Sequence, residues 1–198
     1  MELIQNLTVA ESVLTIEPLA PSHDRAAFVC QEQPLTDYLR GNEAVRDVQQ
    51  RNASVYCCVD EKQCVKGYYT LSVGSISRDS VARAMYGQQW KDKRRDEYKI
   101  YRKFPYDSIG VIILGRVAID LSLKGTGFGQ TLIGHALNEA VALSRRAAAR
   151  AVYLEAKNVT VASIYRGIGF QSLPDNPLSM FILMETLEQA YAQATTSE

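Results

Sequence analysis

The sequence has few histidines, no cysteine motif typical of metal sites and no net charge. Only two histidines, His23 and His135, occur among 198 residues, and none of the four cysteines forms a Cys-x-x-Cys pair. This argues against a metal site, and unpatterned cysteines are typical of a reduced, cytoplasmic chain. The net charge of +0 excludes a global attraction for nucleic acid, so binding of that kind must use local basic patches.

Long apolar runs are also missing. No segment approaches the ~20 apolar residues that a membrane span needs, so no membrane association is expected. Residues 1–10 place no basic region ahead of an apolar run, which argues against a signal peptide. A hydrophobic content of 46% and a charged content of 22% are ordinary for a globular protein. A chain of this length predicts a single domain over residues 1–198.

The residue pattern predicts a mixed α+β fold with at least one parallel strand pair. The predicted strands cover residues 14–17, 54–59, 65–76, 109–119, 151–156 and 180–187, with the second and third forming a hairpin. The predicted helices cover residues 34–50, 129–149 and 160–167, with further helical stretches in the charged segment 78–103. From residue 188 the tail is polar and rich in alanine, as in a frayed helix.

A strand, a glycine-rich loop and a helix start follow one another around residue 125. Val117–Asp120 leads to Lys124-Gly125-Thr126-Gly127-Phe128-Gly129. Glycines let backbone N–H groups turn toward one point, and a helix start adds unpaired donors and a partial positive charge. Together they predict a pyrophosphate site, to which Lys124 adds a point charge. Taken alone, the same spacing also suits a plain tight turn.

A second segment downstream changes the interpretation. It comprises Glu155-Ala156-Lys157-Asn158 and the run from Ala162 to Gly169-Phe170. The two segments together resemble the GCN5-related N-acetyltransferase (GNAT) superfamily, with its Arg/Gln-x-x-Gly-x-Gly/Ala loop and its later Asn, short helix, Tyr and Gly-Phe. Lys124 departs from that pattern. The resemblance implies a mostly antiparallel sheet flanked by helices, with a central parallel strand pair at the acetyl-CoA site.

The resemblance also implies roles for particular residues, with acetyl-CoA as co-substrate. Tyr165 would donate a proton to the departing CoA thiolate, and the alternative is an aromatic ring packed on a helix face. Asn158 would bond the cofactor arm or cap the helix that begins near Thr160. The implied cofactor-binding residues are Val117, Ala118, Ile119, Lys124, Gly125, Thr126, Gly127, Phe128, Gly129 and Asn158.

A narrower resemblance rests on several short motifs. Phe28-Val29-Cys30, Gly67-Tyr68-Tyr69-Thr70-Leu71, Leu114-Gly115-Arg116 and Pro174-Asp175-Asn176-Pro177 are similar to the GNAT toxins of type II toxin–antitoxin systems. This implies acetylation of the α-amino group of aminoacyl-tRNA, inhibition of translation and neutralisation by a ribbon-helix-helix antitoxin. Segment 78–103 is longer than in typical members, which leaves its contacts open.

Two sets of basic residues are candidates for substrate binding. Arg94 and Arg95 lie among Trp90, Tyr98 and Tyr101, a mixture that suits phosphate contact and base stacking. The alternative is a solvated helix face paired with neighbouring carboxylates. Arg116 interrupts an apolar strand, where an unpaired charge is costly, so we expect it to meet a phosphate or carbonyl of the acceptor.

Two other functions remain open at this stage. In the first alternative, the chain is a GNAT enzyme that acetylates a small amine or a protein N-terminus. In the second, it is a non-catalytic acyl-CoA-binding module. An α-amine has a pKa of about 7.7–8.0 and a lysine amine about 10.4, so an α-amine needs less help from a base. The absence of an obvious base therefore favours an α-amine acceptor. The sequence leaves open whether the chain forms a homodimer.

Overall fold

Eight strands and seven α-helices form in residues 6–9, 12–92 and 94–196, which are the residues described by a computed structural model. The strands are β1 (Asn6–Val9), β2 (Ser12–Pro18), β3 (Ser54–Val59), β4 (Val65–Ser77), β5 (Ser108–Ile119), β6 (Ala151–Glu155), β7 (Gln171–Leu173) and β8 (Asn176–Leu183). The helices are α1 (Gln33–Arg40), α2 (Glu43–Gln49), α3 (Arg78–Tyr86), α4 (Arg94–Lys103), α5 (Phe128–Ala147), α6 (Val159–Ile168) and α7 (Met184–Thr196).

The strands follow the order β1-β2-β3-β4-β5-β6-β8-β7. The hairpin predicted for residues 54–76 is confirmed, with β3 and β4 antiparallel. The predicted parallel pair is β5 with β6, where Val111 lies opposite Ala151 and Ile113 opposite Tyr153. The mostly antiparallel sheet with flanking helices confirms the predicted fold class. None of the helices in the described residues is long and apolar enough to cross a bilayer.

The first of two compact units takes in the chain up to Ser72 together with Leu114–Asn138. Its core is built from aromatic residues of the N-terminal half and small residues of the strands. Tyr68 on β4 packs edge-on against Phe28, with ring centroids 5.6 Å apart, and stacks on Tyr38 of α1 at 5.9 Å. Ala118 of β5 is buried in the same core.

The second unit takes in Val73–Ile113 and Glu139–Glu198. Its core gathers the apolar faces of α3 and α4 with residues of β5, β6 and β8. Trp90, Ile100, Phe104, Val111 and Phe181 are all buried there. The bulky residues of this core explain why the charged segment 78–103 is ordered as helices rather than left as a loop.

Two predicted elements are wrong in their extent. The helix predicted over 34–50 is two helices, because Gly41 takes an extended conformation and its amide closes α1 by donating to the Asp37 carbonyl at 2.8 Å. A Cβ at Gly41 would lie 2.8 Å from that same oxygen, so glycine is required there. The strand predicted over 180–187 ends at Leu183, and α7 begins at Met184. Residues 184–192 are mostly strong helix formers, which explains the change.

Candidate functional site

The glycine loop lies in the first unit and opens helix α5. Gly125 and Gly127 have φ angles of +81° and +82°, in the left-handed region that residues with a Cβ avoid. A Cβ at either position would meet nothing within 4 Å, so backbone conformation and not crowding requires glycine. No acidic residue lies in the first turn of α5, so no side-chain charge there opposes an anion. The amide of Phe128 donates to the Thr126 hydroxyl at 3.3 Å, and that of Gln130 donates to the Gly127 carbonyl at 3.0 Å. This arrangement fits a bound pyrophosphate.

Asp120 fixes the transition from β5 into the loop. Its carboxylate accepts hydrogen bonds from the backbone amide of Val29 at 2.9 Å, the amide of Ser122 at 3.0 Å and the hydroxyl of Ser122 at 2.6 Å. Burial alone raises the pKa of Asp120, but the hydrogen bonds from Ser122 and Val29 outweigh it and hold that pKa below its usual range. The charged carboxylate therefore anchors the loop at neutral pH.

The predicted cofactor-arm residues form the carboxyl end of β5. Ala118 is buried in the core of the first unit, so only its backbone is available to a ligand. Val117 and Ile119 are half-buried. Gly67 of β4 approaches closely, since a Cβ there would lie 3.3 Å from the Ala118 carbonyl oxygen. Close backbone packing thus fixes this strand end.

Arg116 is half-buried and stacks on an aromatic ring. Its guanidinium carbon lies 3.9 Å from the centroid of the Tyr38 ring, and its amide donates to the Thr70 hydroxyl at 2.9 Å. The Tyr38 hydroxyl donates to Asp47 at 2.9 Å. Burial, with help from Asp47, raises the pKa of Tyr38 above its ordinary value, although the Arg116 charge opposes the shift. Sequence reasoning missed Tyr38, because residue spacing gives no sign that α1 meets β5.

The second unit carries the predicted proton donor. Tyr165 on α6 is 8% exposed, and its ring packs edge-on against Phe170 with centroids 5.4 Å apart. Burial raises the pKa of Tyr165 to about 12. Among the described residues, no group accepts a hydrogen bond from its hydroxyl, yet that oxygen is not fully buried. The hydroxyl is therefore protonated at neutral pH and available to a ligand.

Asn158 caps α6. Its side-chain oxygen accepts a hydrogen bond from the Val161 amide at 3.0 Å, so the capping role that sequence reasoning left open is present. In the part of the chain that the structure describes, the side-chain amide of Asn158 has no partner. Its predicted contact with the cofactor arm stays a prediction.

No protein-family model matches the sequence. A tRNA-acetylating toxin of Mycobacterium tuberculosis (strain ATCC 25618 / H37Rv) is 27% identical over 168 residues, which are 84% of this chain and 90% of that relative. The solved complex of AtaT with acetyl-methionyl-tRNAfMet has a TM-score of 0.76 and 29% identity, covering 90% of this chain and 99% of AtaT. AtaTR bound with acetyl-CoA is 30% identical with a TM-score of 0.71, covering 90% and 98%.

The chain belongs to the AtaT family of GNAT-fold toxins.

In this AtaT-family member, the aromatic residues proposed for base stacking behave differently from one another. Trp90 is 2% exposed and belongs to the core of the second unit, so its predicted stacking role is wrong. Tyr101 is 41% exposed and available, although the Arg78 guanidinium lies 4.2 Å from its ring centroid. Burial of the large Trp90 indole stabilises the core, and a buried ring cannot stack on a base of the substrate.

Many basic side chains of this AtaT-family member pair within the second unit. Lys91 lies 2.9 Å from Asp79, Lys103 pairs with Glu185, and Arg145 lies 3.1 Å from Glu188. These pairs are at least partly exposed, so each contributes little stability. Arg94 and Arg95 begin α4, but their side chains lie outside the described residues. Their predicted role in substrate binding stays a prediction.

Proposed function

We propose that this chain is an acetyl-CoA-dependent N-acetyltransferase that acetylates the α-amino group of aminoacyl-tRNA and thereby blocks translation. The observation that carries the proposal is the strand–loop–helix segment with Gly125 and Gly127 in the left-handed region. Likeness to AtaT, which has been solved with an acetylated methionyl-tRNA, supports the acceptor. We treat residues 1–198 as a single acetyltransferase domain.

The cofactor roles follow from the geometry of the first unit. Bound acetyl-CoA supplies an acetyl group activated as a thioester. The loop amides around Gly127 and the start of α5 bind the pyrophosphate, and Lys124 adds a charge beside them. The backbone of Val117 and Ile119 holds the cofactor arm in a fixed position, which lowers the entropic cost of the reaction.

Tyr165 is the proposed source of the proton. Tyr165 keeps its hydroxyl proton at neutral pH, because burial raises its pKa to about 12. That proton is held for the thiolate that leaves when the amine forms a bond to the acetyl carbon and the carbon–sulfur bond of the thioester breaks. The α-amine of an aminoacyl ester needs little help in losing its own proton, since a useful fraction is neutral near pH 7.7–8.0, about its pKa.

The proposed protein partner also rests on the likeness to AtaT. A mutant of AtaT has been solved bound to the C-terminus of the antitoxin AtaR. We propose that a ribbon-helix-helix antitoxin binds and neutralises this chain and that both act in the cytoplasm.

An acetyl-transfer assay tests the proposal. The protein is mixed with radiolabelled acetyl-CoA and, in parallel, with charged tRNA, uncharged tRNA, polyamines and peptides with free N-termini. We expect label only on charged tRNA, linked through the α-amino group. Transfer to polyamines or peptides instead would favour a small-amine or N-terminal acetyltransferase. Failure to bind acetyl-CoA at all would favour a non-catalytic module.

A further inference from the structure

Arg116 is held rigidly on the side of β5 that carries the core of the first unit. Its guanidinium lies against the face of the Tyr38 ring at 3.9 Å. That ring is itself fixed, because its hydroxyl is bonded to Asp47 and its other contacts include the stacked ring of Tyr68. The orientation of the charged group is therefore set before any ligand arrives.

Stacking uses only the face of a guanidinium and leaves its N–H donors free at the edge. Among the side chains that the structure describes, no carboxylate pairs with Arg116 and no group accepts a hydrogen bond from its guanidinium. By contrast, Arg25 in the same unit donates to the carbonyls of Leu39 and Gly41. A half-buried guanidinium without an acceptor is a site for an anion with two oxygens in one plane.

The proposed acceptor narrows the identity of that anion. In an aminoacyl-tRNA the carboxyl group of the amino acid is esterified and carries no charge. The nearest anion to the α-amine is then a phosphodiester of the RNA. Arg116 immediately precedes Val117, whose backbone is assigned to the cofactor arm, so the acceptor end must pass close to it.

We propose that Arg116 clamps the phosphodiester nearest the aminoacyl end and that Tyr38 is the positioning residue that holds the clamp in its plane. This inference rests on the proposed function, and it adds a residue-level basis for preferring an RNA acceptor over a phosphate-free amine. Tyr38 touches no substrate and acts only through Arg116.

A comparison of two model acceptors tests the clamp. The same amino acid is esterified either to adenosine, which has no phosphodiester, or to a trinucleotide that ends in adenosine. We expect the wild-type chain to use the trinucleotide with a lower KM. Arg116→Gln should reduce kcat/KM for the trinucleotide by roughly 10- to 100-fold, the worth of a charge-assisted hydrogen bond, and leave the adenosine ester unchanged. Arg116→Lys should recover only part of the loss, because it lacks the planar fork.

Variants at Tyr38 test its positioning role. Tyr38→Phe keeps the ring and its stacking on Tyr68 but loses the bond to Asp47, so it should raise KM for the trinucleotide less than the loss of the ring does. Tyr38→Leu removes the ring and should raise KM for the trinucleotide alone, with kcat little changed. Because both acceptors are measured on one preparation, loss of folded protein cancels in their ratio. Arg40→Gln is the matched control, since it removes an exposed charge from the same helix and should leave the ratio unchanged.

Three outcomes would overturn the inference. Equal losses on both acceptors in Arg116→Gln would mean that the residue does not contact a phosphodiester. A Tyr38→Leu ratio equal to that of the wild-type chain would remove Tyr38 from the clamp. A wild-type chain that acetylates neither ester but modifies acidic peptides would overturn the proposed function itself, and the clamp with it.

Discussion

Tyr165 is the residue whose chemistry can be tested with the smallest change. Tyr165→Phe removes only the hydroxyl and keeps the edge-on packing against Phe170. We expect turnover to fall by roughly 10²–10⁴-fold, the usual contribution of a positioned general acid. Acetyl-CoA affinity should change little, because the proton is needed in the transition state and not in the bound ground state. Steady-state kinetics and calorimetry measure the two quantities.

The matched control is Tyr106→Phe in the same unit. Tyr106 is 77% exposed, so loss of its hydroxyl should leave turnover unchanged. In cells, Tyr165→Phe should be tolerated where the wild-type chain arrests growth. A Tyr165→Phe protein that acetylates charged tRNA at the wild-type rate would remove this residue from the mechanism and leave the fold untouched.

The pH dependence of the rate separates Tyr165 from the acceptor amine. The amine must lose a proton, with a pKa of about 7.7–8.0, so the rate should rise with pH through that range. Tyr165 must keep its proton, and its pKa of about 12 leaves it protonated across the same range. The rate measured from pH 6 to pH 9 should therefore rise and then level off. A fall above pH 8 would show that the acid has a much lower pKa.

At the scale of elements, local signals predicted most of the fold. Alternating β-branched and aromatic residues predicted β3 within its observed bounds, and the glycines after β5 predicted the start of α5 to one residue. The break at Gly41 was missed, because apolar spacing continues across it while the backbone turns. The stacking of Arg116 on Tyr38 depends on tertiary packing between residues far apart in sequence, which no local pattern contains.

The glycines of the loop and of α5 should respond in opposite directions to the same substitution. Gly134 lies within α5, and a Cβ there would meet nothing within 4 Å, so Gly134→Ala should raise the free energy of unfolding by about 0.5–1 kcal/mol. Gly127 has a φ of +82°, so Gly127→Ala should lower it by roughly 1–2 kcal/mol. Urea unfolding measures both effects.

Acetyl-CoA binding provides the second measurement on the same pair. Gly127→Glu should abolish binding, because a side chain and a negative charge would occupy the proposed pyrophosphate site. Gly134→Ala should bind as the wild-type chain does. Unchanged affinity in a folded Gly127→Glu protein would contradict the assignment of the loop to the cofactor, whatever its effect on stability.

For the whole molecule, the balance of charge limits how RNA is attracted. The chain has 22 basic and 22 acidic residues and a net charge of +0, so steering by a uniform field is absent. Affinity for tRNA must come from local contacts. Two lysines of the second unit, Lys91 and Lys103, pair with the carboxylates of Asp79 and Glu185. Because these pairs are partly exposed, each contributes little to stability.

The charge balance predicts that tRNA affinity falls steeply with salt and that this dependence comes from a few basic residues. Binding of tRNA should weaken linearly in log affinity against log salt, through release of condensed counterions. Charge reversal at Arg94 and Arg95 should weaken binding and reduce that slope by roughly 0.7–0.9 for each phosphate contact removed, with acetyl-CoA affinity unchanged.

Reversal at Arg40 and Lys62, which are exposed in the first unit, changes the net charge equally and should leave the slope as it is. Filter binding over a salt series measures the slopes. Equal effects from both pairs would mean that net charge, and not α4, governs recognition, and a flat response in the wild-type chain would exclude a nucleic-acid substrate.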